Sequence, residues 1–283
     1  MNPSIFLPND CWSAVVQFIG DLQTLQNFKN CSSYLSKVSL RHYIACPWMR
    51  VTHEFDFRRR DGEGEKDDVV DKKHPGIRAR IRGKAMRTEE GMEMKSCYAG
   101  CNENAGFAEV DPYEFGGGPM SIEIKMRFKS FEQDWARVFD FRNSFEDSIS
   151  LMNFNHCFGS WDAPRISWEV SQGSKKCEIG DNSTCFSKGE DDHIVFTVKG
   201  NTAKIYKNGV LGLTSADGLE PLRMKRHFHT IGAMVHSSAA TYGAGGSTCQ
   251  HVHGNVSYFR MFDGIELTSE DVDKMYSRND EFN

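Results

Sequence analysis

The stretch AEVDPYEFGGGP, Ala108 to Pro119, sets Glu109, Asp111 and Glu114 in an E-x-D-x-x-E spacing. Cleavage of a glycosidic bond with retention needs one carboxylate as nucleophile and one as acid/base, about 5 Å apart. A bulged strand can aim acids at such a spacing toward one face of a cleft. Pro112 weighs against that chemistry, because it stands between the second and third acids. It removes a ladder donor and breaks the central strand that would hold the carboxylates.

A second candidate is Cys249-x-His251-x-His253, with His227 and His229 repeating the spacing. A period of two puts such side chains on one face of a strand, within reach of one zinc ion. No fourth ligand or orienting partner is visible in the sequence, so alternating polar residues on an outer strand face are the expectation. GAGGS, Gly243 to Ser247, lacks the strand-loop-helix context and the lysine of a phosphate loop and reads as a flexible connection. No Ser-His-Asp arrangement follows from residue order.

The elements that must position these residues are bounded by composition. At 283 residues, 39% hydrophobic and 12% aromatic, the chain can bury one large core and carry a small appendage. A formal net charge of -5 offers no basic surplus for a nucleic acid. The first residues, MNPSIFLPNDCWSAVVQF, show no basic n-region, continuous apolar core or small-residue cleavage site, and no later run approaches a membrane span. Nine cysteines, odd in number and scattered, predict free thiols and an intracellular chain with no membrane partner. A secreted chain would instead close loops at Cys97–Cys101 and Cys177–Cys185 and carry glycans at Asn182 and Asn255.

Two regions differ in periodicity. In residues 1–50, Trp12, Val15, Val16 and Ile19 follow a helical stripe after Pro8 and Asn9, and Leu22, Leu25 and Phe28 form a second stripe after Asp21. Ser32 or Ser33 can cap a third turn bearing Tyr34, Leu35 and Val38. Three such short helices bury little surface alone, so they require something to pack on. From residue 51 to 283 the pattern is β. His53–Phe57 reads as a strand, Ile77, Ala79 and Ile81 alternate with three arginines, and period-two segments recur from Ser121 to Gly264. Asn208-Gly209 predicts a type I′ hairpin turn. Thr268–Tyr276 predicts a short helix with Glu270 and Asp271 in its first turn, closing the sandwich.

The segment LPNDCWSAVVQFIGDLQTLQNFKNCSSYLSKVSL resembles an F-box, with Leu7, Pro8, Val16, Phe18, Leu22, Leu25, Ser33 and Leu35 at matching positions. Cys11, Trp12 and Phe28 depart from the pattern. The resemblance implies docking through Leu7, Pro8, Val16, Phe18, Leu22 and Leu25 on the adaptor subunit of a cullin-type ubiquitin ligase. A helical cap packed on the following domain is the alternative. The β region resembles the concanavalin A-like lectin/glucanase superfamily, in particular its laminin G-like jelly-roll domains. EFDFR, FAEVDPYEFGGGPMSIEIKMRFKSFEQDWARVFDFRNS, HIVFTVKGNTAKIYKNGVLGL and GNVSYFRMFDGIELTSEDVDKMY carry the likeness in order, while Glu190-Asp191-Asp192 replaces a usual tryptophan.

That resemblance implies a mainly β fold, an antiparallel jelly-roll β-sandwich with a small N-terminal helical module and a short C-terminal helix. It also places AEVDPYEFGGGP in a slot without catalysis, and early in the domain, where a family 16 glucanase carries its triplet near the middle. Related domains bind carbohydrate or protein on the loop rim, in some cases through calcium. Asp140, Asn143 and Asp147 are then the candidate oxygen ligands, and Trp135 and Trp161 the candidate sugar platforms. Trp168, inside RISWEV, is expected in the core. The expectation is a non-catalytic binding or adaptor protein without a required cofactor. A lectin-like protein without a ligase role and a glycoside hydrolase are the alternatives.

Overall fold

The structure, a computed structural model, describes residues 46–95, 106–131, 135–144, 146–154, 164–181, 183–234 and 250–280. The chain divides into two compact units, Met1–Arg50 and Val51–Asn283. In the first, the described residues carry one 3-10 turn, Pro47–Arg50. Leu7, Pro8, Val16, Phe18, Leu22 and Leu25 lie outside the described residues, as do Trp161 and Cys249. No described helix is long and apolar enough to cross a membrane.

The second unit runs β1 (His53–Asp56), β2 (Val69–Val70), β3 (Arg78–Gly83), β4 (Met86–Thr88), β5 (Gly91–Met94), β6 (Gly106–Val110), β7 (Glu114–Phe115), β8 (Met120–Ser130) and β9 (Arg137–Ser144). It continues with β10 (Asp147–Phe154), β11 (Arg165–Gln172), β12 (Lys175–Ile179), β13 (Asp191–Lys199), β14 (Thr202–Lys207), β15 (Val210–Ser215), β16 (Met224–Lys225), β17 (Phe228–Ile231), β18 (His253–Asp263) and α1 (Ser269–Asp280). The first sheet has the order β15-β14-β13-β8-β18-β5-β4, with β1 also on β18. The second has the order β12-β11-β10-β9-β17-β6-β3-β2, and β16 pairs with β7 apart from both.

Register explains why the two sheets face each other. In the second sheet Ile81, Ala108, Ile231, Phe139, Leu151, Trp168 and Ile179 stand in one cross-strand row. Ala79, Val110, His229, Phe141, Ile149, Val170 and Cys177 form another. Both rows are apolar except for His229, and alternation turns them to the same side. They meet Ile122, Ile124, Phe196 and Phe259 of the first sheet in one buried cluster. Trp168 stacks on Phe196 with ring centroids 3.4 Å apart, and Phe139 and Phe141 meet Phe259 edge-on at 5.4 and 5.5 Å. Trp168 is thus a core residue, as its position in an alternating strand predicts.

His229 keeps its place in this core as a neutral imidazole. Burial, reinforced by Arg226, pushes its pKa down to about 3. The rings of Tyr113 and Phe141 lie 4.7 and 4.4 Å away.

The Asn208-Gly209 hairpin forms as its sequence requires, with φ of 51° and 79° joining β14 to β15. A Cβ at position 209 would stand 3.0 Å from the Tyr276 ring, so glycine also lets α1 approach. Thr268 Oγ1 accepts from the Asp271 N–H at 3.2 Å, and Asp271 Oδ2 accepts from the Thr268 N–H at 2.9 Å. That reciprocal cap starts α1. The helix covers the outer face of the first sheet rather than an open end of the sandwich. Tyr206 Oη lies 3.1 Å from Ser269 Oγ, the Tyr276 ring lies 5.7 Å from His193, and Val272 and Met275 are buried.

The same outer face holds an ionic network. Glu54, Arg260, Glu123 and Val195 share one row across β1, β18, β8 and β13. The fully buried Glu123 accepts from Tyr258 Oη at 2.9 Å and from Arg260 Nη1 at 3.1 Å, and lies 2.9 Å from His193 Nε2. Arg260 Nη2 also reaches Glu54 at 3.3 Å.

Candidate ligand-binding face

Between the two apolar rows of the second sheet runs a row of opposite character. Arg80, Glu109, Thr230, Asp140, Ser150, Glu169 and Glu178 stand in register across β3, β6, β17, β9, β10, β11 and β12. A shift of one residue from the core rows puts all of them on the outer face. Beside this row lie Phe228, Arg142, Ser148, Ser171 and Lys176, and on its other side Arg137, Met152 and Ser167.

Most charges on this face are matched in pairs. Arg142 Nε donates to Asp140 Oδ1 at 2.8 Å, and its Nη2 also contacts the second carboxylate oxygen. Burial raises the Asp140 pKa against the opposing pull of Arg142 and Arg137. Lys176 Nζ lies 3.1 Å from Glu169 Oε2, and Arg82 Nη2 lies 2.6 Å from Glu109 Oε2. Arg137, only 6% exposed, donates through Nη1 to Ser150 Oγ at 2.6 Å and Met152 Sδ at 2.7 Å. Its Nε donates to Gln250 Oε1 at 3.2 Å. Burial lowers its pKa, with Asp140 and Glu169 acting in the opposite direction.

At the Arg137 end the face becomes aromatic. Phe154 and Arg165 are cross-strand neighbours, and the guanidinium carbon of Arg165 lies 3.9 Å from the Phe154 ring centroid. Trp135 meets the same ring edge-on, with centroids 4.2 Å apart and planes at 76°. Trp135 holds a φ of 63°, in the left-handed region that a bulky side chain rarely occupies. Such a conformation costs on the order of 1–3 kcal/mol and persists only where the surroundings enforce it. Here Asn153 does so: its Oδ1 accepts from the Ala136 N–H at 2.6 Å, and its own N–H donates to the Ala136 carbonyl at 3.1 Å.

The candidate rim residues are dispersed. Asn143 and Asp147 come together, with Asn143 Nδ2 donating to Asp147 Oδ2 at 2.8 Å. The other carboxylate oxygen of Asp147 lies 3.0 Å from Arg226 Nη2. Asp140 is not a rim residue but a buried member of the central row, because Phe139 and Phe141 turn inward and leave it on the outer face. Trp135 precedes β9 and Asn143 lies near its other end, so they belong to opposite ends of the sandwich. These residues therefore do not converge on one calcium ion. Among the described residues no group of three or more His, Cys, Asp and Glu side chains is placed to hold a metal.

The E-x-D-x-x-E triplet is also divided. Glu109 lies in β6 and Glu114 in β7, with Pro112 between the two strands. Asp111 is held by Arg80, and Glu114 by Arg223 at 2.7 Å. His253 Nδ1 is 2.7 Å from Ser130 Oγ, while His251 is buried and stacks on Phe107. Cys177 is a buried free thiol, so the Cys177–Cys185 loop closure of a secreted chain is not formed. Asn255, in the middle of β18, is only 7% exposed and is a poor glycan acceptor in the folded domain.

A separate cleft of about 610 Å³ lies beside β15, lined by Thr184, Ser187, Lys188, Lys207, Asn208 and Val210 among others. Lys207 is already engaged by the Cys185 carbonyl at 2.6 Å, Ser187 Oγ at 2.7 Å and Asp192 at 3.0 Å. Among the described residues its one lining aromatic, Phe186, is buried, so none of them presents the exposed flat face that a sugar ring requires.

The fold has counterparts among solved structures at low sequence identity. Domain 4 of AbnA, an extracellular arabinanase of Geobacillus stearothermophilus solved with arabinotriose, is 13% identical, with a TM-score of 0.52 over 80% of this chain and 98% of that one. The receptor-binding domain of botulinum neurotoxin mosaic serotype C/D is 10% identical, with a TM-score of 0.54 over 81% of this chain and 50% of that one. Trypanosoma rangeli sialidase, in complex with a difluorinated KDN, is 10% identical, with a TM-score of 0.51 over 81% and 33% respectively. No family model and no curated protein matches the sequence. The chain therefore has the β-sandwich fold shared by these domains, and spans about half of the toxin chain and a third of the sialidase chain.

Proposed function

We propose that the second unit is a non-catalytic, lectin-like binding module whose ligand is a carbohydrate taken on the outer face of the second sheet, at its Trp135–Phe154 end. Trp135 carries this reading. A large aromatic residue is held in a strained left-handed conformation, half-buried, beside a face of hydroxyl and charged groups. An indole offers the apolar face of a sugar a flat surface, and the half-buried polar side chains of Arg165 and Gln250 lie at the same end of the face. The arabinotriose complex of the structurally similar arabinanase domain supports a sandwich of this kind acting in binding. The laminin G-like resemblance belongs to the same reading.

Hydrolysis is the less favoured reading because each acid of the triplet is held by an arginine, Glu109 and Asp111 by Arg82 and Arg80 of β3 and Glu114 by Arg223. The N-terminal residues complete the proposal. On the F-box resemblance alone, Leu7, Pro8, Val16, Phe18, Leu22 and Leu25 dock an adaptor subunit of a cullin-type ligase, in an intracellular protein that couples ligand recognition to ubiquitin transfer.

Binding to an oligosaccharide array tests the module. Trp135→Ala should weaken the bound glycan at least tenfold, about 1.4 kcal/mol, with the fold retained by circular dichroism. Unchanged affinity, or turnover of the glycan that stops in Glu109→Gln or Glu114→Gln, would reject it. For the adaptor arm, Leu22→Asp should abolish co-purification of the adaptor and leave glycan binding intact.

A further inference from the structure

We propose that Arg137 makes this face selective for an acidic sugar, whose carboxylate pairs with the guanidinium while its ring lies against Trp135. The inference rests on the carbohydrate reading above and adds a charge requirement to it. A guanidinium carries five N–H donors in a fixed fork. In Arg137, Nε and Nη1 are occupied by Gln250, Ser150 and Met152, which supply an amide oxygen, a hydroxyl and a thioether. None of these acceptors is charged, and the two protons of Nη2 meet no acceptor among the described residues.

The other cations of these rows are differently placed. Arg142 has Asp140, Lys176 has Glu169, Arg165 has Glu178, Arg82 has Glu109 and Arg80 has Asp111. Arg137 is nine-tenths buried and makes no direct carboxylate contact among the described residues, with Asp140 and Glu169 acting on it only at longer range. Burying an unpaired charge is unfavourable, and an incoming carboxylate would relieve that cost through charge-assisted, two-point hydrogen bonds. Burial lowers the Arg137 pKa, which accords with a cation that holds no carboxylate in direct contact.

Position selects a sugar over a bare anion. Trp135 and Arg137 are two residues apart, within about 7 Å along the chain, so one acidic sugar can touch both. Arg137 also differs from a surface lysine in presenting a planar fork that fits a carboxylate.

Titration calorimetry of the full chain with galacturonate, glucuronate and sialyl oligosaccharides, each as free acid and as methyl ester, tests the proposal. At least one acid should bind ten times or more tighter than its own ester, and added salt should narrow the difference. Arg137→Gln, checked for a retained fold by circular dichroism, should remove the preference for acid over ester, and Arg137→Lys should restore it in part. Equal affinity for acid and ester in the wild-type protein overturns the charge requirement and leaves the carbohydrate reading standing. Persistence of the preference in a folded Arg137→Gln protein also overturns it. Failure to bind any acid, ester or neutral glycan overturns both readings. The acid-to-ester comparison in the wild-type chain needs no variant to fold.

Discussion

Replacing Glu123 by Gln removes one negative charge from a site with no exposure and several donors aimed at it. Burial alone would raise the Glu123 pKa, but Arg260, His193 and the Tyr258 hydroxyl outweigh it and hold the group down at about 2, against an ordinary value of 4.5. A folded pKa below the unfolded one means that the unfolded chain binds the proton first as pH falls. The stabilisation is therefore complete above about pH 4.5 and is lost as the pH drops toward 2. At about 1.4 kcal/mol per pKa unit, the difference amounts to roughly 3 kcal/mol at neutral pH. Breaking a buried ion pair from one side typically costs 3–5 kcal/mol, the same order. For a unit of this size, roughly 2–4 °C per kcal/mol gives a fall in Tm of about 6–12 °C. Thermal unfolding of wild-type and Glu123→Gln proteins, followed by circular dichroism from pH 7 to 2, measures it. The gap should be widest at pH 7 and close near pH 2. A gap below about 0.5 kcal/mol, or one independent of pH, would refute the reasoning.

Three further outcomes follow from the core. Trp168→Ala should destabilise the fold by about 3–5 kcal/mol in urea denaturation, since it leaves a cavity against Phe196. Stability should fall as pH drops below 6.5, because unfolded His229 gains a proton that the folded imidazole, held down at about 3, resists; His229→Leu should flatten the profile between these values. Cys177, whose thiol burial pushes up to about 11, should resist iodoacetamide at pH 8 in the native protein and react after unfolding, as read by peptide mass spectrometry.

Local pattern was a good guide where one strand decides its own environment. RISWEVSQ occupies β11 without a shift, Asn208-Gly209 forms its turn, and Ala79 and Ile81 turn inward while Arg78, Arg80 and Arg82 stay out. Short pieces were harder. Val69–Val70 is hidden in an acidic stretch and becomes a strand because Val69 can be buried opposite Ala79. KKCEI, β12, has too few apolar residues to stand out, yet Cys177 and Ile179 complete the inner rows. The binding face was harder still, since it exists only once seven strands are in register. Asp140 is a candidate rim ligand only through the laminin G-like resemblance, and Phe139 and Phe141 fix it within a strand. Nothing near Arg137 in the sequence reveals that Ser150, Met152 and Gln250 will be its partners, two of them from another strand. The alternation of polar residues in RVFDFRNS, DSISLMNF and RISWEVSQ was the available signal.

Hydroxyl-radical footprinting of the full chain with and without its bound oligosaccharide locates the ligand directly. Binding on the outer face of the second sheet predicts protection of Trp135 and Phe154, with no change at Val210 or Leu211, which are 69% and 46% exposed beside the separate cleft and its strand. Protection of Val210 and Leu211 with Trp135 unchanged would contradict the account and move the site to β15.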